Sequence, residues 1–247
     1  MRVSRLYVAM PLVLHETIEL DEDSAHYLRT VLRLKKTQTI TLFNGEGGEY
    51  QGKVVEVSRK RVLIELLSFT NRSVESGLHV ILGLGVSRGD RMDFSVQKSV
   101  ELGIAKITPL QTERCVVQLK AEKGQNKVRH WQKIAQHATE QSGRTFRPTV
   151  EAVENIEAWV KQQTGLKLFL DPFATRTLKQ LQPEGRQVTL LAGPEGGFSE
   201  QEREMAKQAG FIPVQMGPRI LRTETAALTA ITAVQVLWGD LGREDAE

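Results

Sequence analysis

Aromatic side chains are scarce in this chain, 6% of 247 residues, so its core must rest on Val, Leu, Ile and Ala. Cysteine is nearly missing. Cys115 stands alone, which excludes an intrachain disulfide and fits a reducing compartment, so a cytoplasmic location is expected. No base accompanies that thiol in sequence, and a buried small apolar side chain is its expected role. Long apolar runs are lacking too. None approaches the roughly 20 residues of a membrane helix, so no membrane association is expected. Tyr7 to Leu14 is apolar, but His15 and Glu16 follow at once without a small-residue cleavage site, so no secretory signal is expected. Metal-ligand patterns are equally thin. His130 and His137 lie two helical turns apart, too far for joint ligation, and no acid or Cys completes a tetrahedral set. No metal is expected.

What is present is a balanced soluble composition, 40% hydrophobic and 26% charged, long enough for one large or two modest domains. The net charge of +3 hides an asymmetry. Residues 1–147 hold 23 Lys/Arg and 16 Asp/Glu, whereas residues 148–247 hold 10 and 14. A polyanion such as RNA would be drawn to the first part by phosphate contacts and counterion release.

Residues 1–72 read as β-rich. Thr39–Phe43 alternates into the turn Asn44-Gly-Glu-Gly-Gly48, and strands follow at Tyr50–Val57 and Arg61–Leu67. One helix is predicted over Ser24–Leu32, capped by Asp23 or Ser24. Short strands with tight turns suggest a small barrel. The polar stretch Asn71–Gly77 reads as a linker. From residue 73 onward strands and helices alternate, beginning with the continuous apolar strand Leu78–Val86 and ending with a helix over Thr223–Trp238. That alternation predicts an α/β domain over 73–247 with a mainly parallel sheet.

Two stretches carry the chemistry. In Leu190-Leu-Ala-Gly-Pro-Glu-Gly-Gly-Phe-Ser-Glu200 a buried strand ends at Gly193, Pro194, Gly196 and Gly197, and a helix starts at a capping box of Ser199 and Glu202. Glycines here let a ligand approach the backbone closely. In Met216-Gly-Pro-Arg-Ile-Leu-Arg-Thr-Glu-Thr-Ala-Ala227 a loop with Arg219 and Arg222 meets a helix start, which favours an anion. The helix beyond it carries Ala226, Ala227, Ala230 and Ala233, so it is expected to be deeply buried or to sit at a dimer interface. Gly83, Gly85 and Gly89 imitate a dinucleotide fingerprint, but their spacing is one residue too long for it.

Together these stretches resemble one family, the small-subunit (16S) ribosomal RNA uridine-N3 methyltransferases of the SPOUT class. GPEGGFSEQE at 193–202 and MGPRILRTETAAL at 216–228 match its two C-terminal signatures. QKSVELGIAKITPLQTERCVV at 97–117, EQSGRTFRPTV at 140–150 and HYLRTVLRLK at 26–35 add to the match in the expected order. The resemblance implies an α/β SPOUT methyltransferase domain with a trefoil knot, which physics alone would not predict. A PUA-like RNA-binding β-barrel would precede it. It also implies S-adenosylmethionine (SAM) as cofactor, a homodimer built through the knot and the last helix, and the small ribosomal subunit as partner. By motif match the cofactor would rest on Leu170, Asp171 and Pro172; on Gly193, Pro194, Glu195 and Gly197; and on Met216, Gly217, Ile220, Leu221, Arg222 and Thr223.

The implied reaction places a methyl group on N3 of uracil, which is protonated at neutral pH. A general base and a stabiliser of the charge on O2 and O4 would both help. Glu195, Glu224 and Glu140 are candidates for the base, and Arg222 and Arg144 for the stabiliser. Glu195 has a rival role in bracing its loop, and Glu224 in capping the last helix. Arg29, Arg33, Lys35 and Lys36 are candidates for phosphate contacts. A knotted methyltransferase acting on a ribose 2′-hydroxyl and a non-enzymatic ribosome-assembly factor are the alternatives weighed against this reading.

Overall fold

A computed structural model describes residues 4–119 and 121–242, with the side chain of Ala121 left aside. The chain forms two compact units. One comprises residues up to Glu75 together with Thr139–Arg147, and the other comprises Ser76–Ala138 and Pro148 onward. The sequence reading placed 139–147 with the C-terminal residues; the contacts place it with the N-terminal ones.

In the first unit, β1 (Arg5–Tyr7), β2 (Thr17–Glu19), β3 (Thr39–Phe43), β4 (Glu49–Val57) and β5 (Val62–Thr70) form a five-stranded sheet. Its order is β1-β3-β4-β5-β2. Alternating residues Ile40, Leu42, Val54, Ile64 and Leu66 are fully buried and pack with Leu6 and Leu28, so period-2 patterning decides the core face. Helix α1 (Glu22–Tyr27) starts earlier than its predicted position and is capped by Asp21, whose Oδ1 accepts from the Ser24 N–H at 2.8 Å. Neither Asp23 nor Ser24 is the cap: Asp21 alone has the extended backbone that a capping carboxylate needs. A π-helical turn, Leu28–Leu32, completes the segment and ends in Arg33 at φ +52°.

The second unit holds β6 (His79–Gly85), β7 (Lys106–Gln111), β8 (Thr149–Val150), β9 (Glu154–Asn155), β10 (Leu166–Leu170), β11 (Gln187–Ala192) and β12 (Ile212–Val214). All their pairings are parallel, in the order β12-β10-β11-β6-β7-β8, with β9 also on β7. Both faces are covered, as a parallel sheet requires. Val80, Leu82, Leu84, Val188, Leu190 and Leu168 pack on one side with α2 (Asp90–Glu101), α3 (Ala121–Ser142) and α6 (Thr223–Trp238). Ile81, Leu191 and Phe169 pack on the other with α4 (Ile156–Lys161) and α5 (Glu200–Gln208). Gly103 and Gly143, at φ +83° and +81°, stop α2 and α3.

The stretch 71–77 is more than a linker. Arg72 donates to the Gly143 carbonyl at 3.1 Å, and the buried Arg144 guanidinium holds both oxygens of Glu75. Glu140 accepts the Tyr7 N–H at 3.1 Å. Burial of Tyr27 raises its phenol above the ordinary value, and the Glu140 charge adds to the rise. The Arg144–Glu75 pair is therefore a fastening of the first unit. Arg144→Ala leaves Glu75 without its partner and is expected to cost about 3 kcal/mol, read as a lowered urea midpoint. An unchanged midpoint would remove the pair from the list of structural contacts.

Candidate cofactor site

Three adjacent strands, β12, β10 and β11, end at the same edge of the parallel sheet, and their loops enclose one cavity of about 580 Å³. Ligands of open parallel sheets bind at such carboxyl ends. Register fixes the arrangement: Leu170 pairs with Val214, and Phe169 with Leu191.

The β10 loop turns at Asp171. Its N–H donates to the Val214 carbonyl at 3.0 Å, and its Oδ1 accepts from the Phe173 N–H at 3.0 Å. Arg203 of α5 donates to both carboxylate oxygens and lies 5.5 Å from the Phe173 ring centre. The β11 loop is the Gly193–Gly197 turn, closed by the Gly197 N–H on the Pro194 carbonyl at 2.9 Å. Glu195 Oε1 accepts from the Arg88 N–H and from Arg91 of α2, while its Oε2 is buried without a hydrogen-bond partner among the described residues.

The expected capping box is in place. Ser199 accepts from the Glu202 N–H, and Glu202 Oε2 accepts from the Ser199 N–H at 2.9 Å. The other oxygen of Glu202 accepts from the Glu113 N–H at 2.8 Å, tying the loop after β7 to the start of α5. The β12 loop passes Gly217 at φ +117° and delivers Arg222 as the N-cap of α6. Arg219 and Arg222 line the cavity beside that helix start. Neither guanidinium has a partner among the described residues. A helix N-terminus and two unpaired cations favour an anionic group.

Every residue carried over for cofactor contact lines this one cavity: Leu170, Asp171, Pro172, Gly193, Pro194, Glu195, Gly197, Met216, Gly217, Ile220, Leu221, Arg222 and Thr223. Of the reacting candidates, Glu195 and Arg222 line it. Glu224 does not; it sits half-buried in the first turn of α6, its Oε2 buried without a partner among the described residues. Glu140 and Arg144 belong to the first unit, where the contacts above occupy them. Arg29 is half-buried and donates to the Ser58 carbonyl at 3.1 Å, while Arg33, Lys35 and Lys36 are exposed.

Sequence reasoning missed Arg91, Arg114, Phe173 and Arg203 at the cavity. Arg91 and Phe173 lie outside the quoted motifs, Arg203 directly follows the first signature, and Arg114 sits within the 97–117 stretch with nothing local to single it out. It also left Gly85 without a role. A Cβ on Gly85 would stand 2.4 Å from the Pro194 nitrogen, so the bare end of β6 is what lets the glycine turn settle on the sheet. Gly83 likewise makes room for the Trp159 ring. Two of the three glycines that imitate a dinucleotide motif are thus packing glycines, while Gly89, with nothing within 4 Å of a Cβ, takes a φ of +54° at the start of α2.

A parallel sheet with a three-loop cavity at its carboxyl edge defines a ligand-binding α/β protein, and comparison with known proteins narrows the class to RNA methyltransferases. The family described as RNA methyltransferase domain matches residues 74–235, and the RNA methyltransferase PUA domain matches residues 20–67. Ribosomal RNA small subunit methyltransferase E of Buchnera aphidicola (from Schizaphis graminum) is 39% identical over 97% of this chain and 98% of its own. The crystal structure of the Neisseria gonorrhoeae protein of that name, bound to S-adenosyl methionine, is 37% identical over 97% of this chain and all of its own, with a TM-score of 0.91. A Legionella pneumophila structure with bound SAM is also 37% identical, covers 98% of this chain and all of its own, and has a TM-score of 0.95. The chain belongs to the ribosomal RNA small subunit methyltransferase E family.

Substituting Gly85 tests the geometry directly. Gly85→Ala must push the Gly193–Pro194 turn away, at about 1–3 kcal/mol of strain. Weaker cofactor binding by calorimetry, with a modest fall in melting temperature, is the expected result. Unaltered affinity would show that the turn's seat on β6 does not matter.

Proposed function

We propose that this protein transfers a methyl group from SAM to N3 of a uridine in small-subunit (16S) ribosomal RNA. The observation that carries this is the convergence of both signature stretches and the β10 loop on one cavity.

The cavity suits SAM by observations of its own. Its volume falls within the ordinary range for small-molecule sites, about 300–1,000 Å³. Gly197 and Gly217 have left-handed backbones, and a Cβ on either would meet nothing within 4 Å, so the space beside these loops is open to a ligand. Leu170, the Gly193–Gly197 turn and Met216–Leu221 would hold the nucleoside through backbone groups and apolar contact. Arg219 or Arg222 with the α6 N-terminus would hold a carboxylate. SAM, when bound, supplies an electrophilic methyl group.

The chain's own residues would do the rest. Uracil N3 must give up its proton before or during attack. We assign that base role to Glu195, the one candidate carboxylate that lines the cavity, with Oε2 free to accept. Arg222 would offset the negative charge that spreads to O2 and O4. The target base must be unpaired or flipped, because N3 lies on its pairing edge. We also propose that the C-terminal domain is knotted and that the enzyme works in the cytoplasm as a homodimer. Exposed Val236 and Leu237 near the end of α6, a helix with one face buried, favour that pairing, and sedimentation equilibrium decides it.

In the first unit, Arg29, Arg33, Lys35 and Lys36 are the proposed phosphate contacts. Alanine at the exposed members should flatten the salt dependence of RNA binding, and an unchanged slope would count against them. The main test uses labelled SAM and small ribosomal subunits from a strain lacking this protein, followed by nucleoside mass analysis. Label in 3-methyluridine is expected; label in a ribose-methylated nucleoside, or cofactor binding without transfer, would sink the reading. Arg222→Ala should lower transfer about 100-fold or more with the fold intact. Wild-type rates in that variant would remove Arg222 from the reaction.

A further inference from the structure

The turn Asn44–Gly48 of the first unit is built around three aromatic rings. Gly45, Gly47 and Gly48 have φ of +86°, +100° and +68°. A Cβ on Gly45 would lie 3.3 Å from the Tyr7 ring, on Gly47 2.8 Å from Phe146, and on Gly48 2.4 Å from Phe69. Each ring thus leans on bare backbone, and a side chain at Gly47 or Gly48 would displace its ring.

The rings are held but not covered. Tyr7 meets Phe43 edge-on at 5.7 Å, and Phe69 tilts against Tyr50 at 4.8 Å. Phe69 and Phe146 nevertheless remain 44% and 41% exposed. The exposed Arg147 guanidinium sits 4.8 Å from the Tyr7 ring centre and pairs with no carboxylate among the described residues. The segment that carries Phe146 and Arg147 is fastened by the Arg144–Glu75 and Arg72–Gly143 contacts and by Thr145, whose hydroxyl donates to the Arg72 carbonyl at 3.3 Å. Glu49, Glu75 and Glu140 are largely enclosed and already engaged by Arg5, Arg72, Arg144 and the Tyr7 N–H. Glu46 is exposed and bonded to the Asn44 amide at 2.8 Å.

Rigid, half-exposed rings beside an unpaired arginine match the chemistry of unpaired nucleobases. Bases stack on aromatic and guanidinium planes, and the cation adds attraction to the backbone phosphates. We propose that Tyr7, Phe69, Phe146 and Arg147, seated on the glycine turn, form a stacking platform that holds an unpaired segment of the RNA substrate. This rests on the reading of the chain as an RNA methyltransferase.

The test uses the full-length protein and a short fluorescein-labelled oligouridylate. Phe146→Ala and Phe69→Ala should each weaken binding about tenfold, while Phe146→Tyr should retain it. Phe146→Leu preserves an apolar contact with Gly47 but no stacking face, and should bind as weakly as the alanine variant. SAM affinity should not move, the variants should stay folded with at most a modest fall in melting temperature, and KM for RNA should rise with kcat unchanged. Wild-type affinity in Phe146→Ala or in Phe146→Leu would overturn the platform. So would unchanged binding to free RNA with lost binding to assembled subunits, which would identify a protein contact. If the variants match a wild-type enzyme that binds and methylates RNA, only the platform falls. If the wild-type protein does neither, the RNA reading falls with it.

Discussion

The parallel pairing of β12, β10 and β11 places everything at the cavity. A strand in such a sheet cannot turn back by a hairpin; its chain leaves at the carboxyl end and returns through a crossover. Because β10 lies between the other two, the exits at Leu170, Ala192 and Val214 open side by side. The glycine turn after β11 then needs a seat, and Gly85 at the end of β6 provides it by having no Cβ. The loop after β7 joins the same assembly through Glu202, whose two oxygens serve two different backbone N–H groups. Five strand ends and two helix starts thus form one edge.

Charge at that edge is divided by role. Arg203 and Arg91 are committed to Asp171 and Glu195, and Arg114 reaches the Gly196 carbonyl. All three contacts shape the loops, and the two ion pairs contribute little net charge. Arg219 and Arg222 are left without partners among the described residues, at the positive end of α6. An anion entering the cavity therefore meets two guanidinium groups without first breaking an ion pair. The same reasoning separates the Glu195 oxygens: Oε1 fixes the loop, and Oε2, buried and unbonded, is costly until something donates to it.

Local order was legible and convergence was not. The bounds of α6, the Ser199–Glu202 box and the strand at Thr39–Phe43 stand where their sequence places them, because each depends on neighbours in the chain. Helix α1 was misplaced because Asp21, Asp23 and Ser24 are all good caps by type, and only backbone conformation chooses Asp21. The three cavity loops came from contiguous motifs, and the resemblance supplied their meeting point. Arg91, Arg203 and Phe173 carry no local mark, since their part in the cavity exists only once α2, α5 and the β10 loop are folded. The placement of 139–147 with the first unit is likewise a tertiary fact: nothing in EQSGRTFR names Tyr7, Arg72 or Glu75 as its contacts.

That last segment shows why a charged residue in a signature stretch is a weak guide to chemistry. Glu140 and Arg144 were reasonable as base and charge stabiliser by type. Both are buried, and a buried charge needs partners before it can do anything else. Arg144 finds Glu75, and Glu140 receives the Tyr7 N–H. Satisfied in this way, they hold β1 and residues 71–75 against the end of α3, which is reason enough for those residue types at those positions. Reacting groups have the opposite signature, an exposed or incompletely satisfied polar end facing a cavity. Within the described residues Glu195, Arg219 and Arg222 have such an end at the cavity, which is what the proposed reaction asks of its groups.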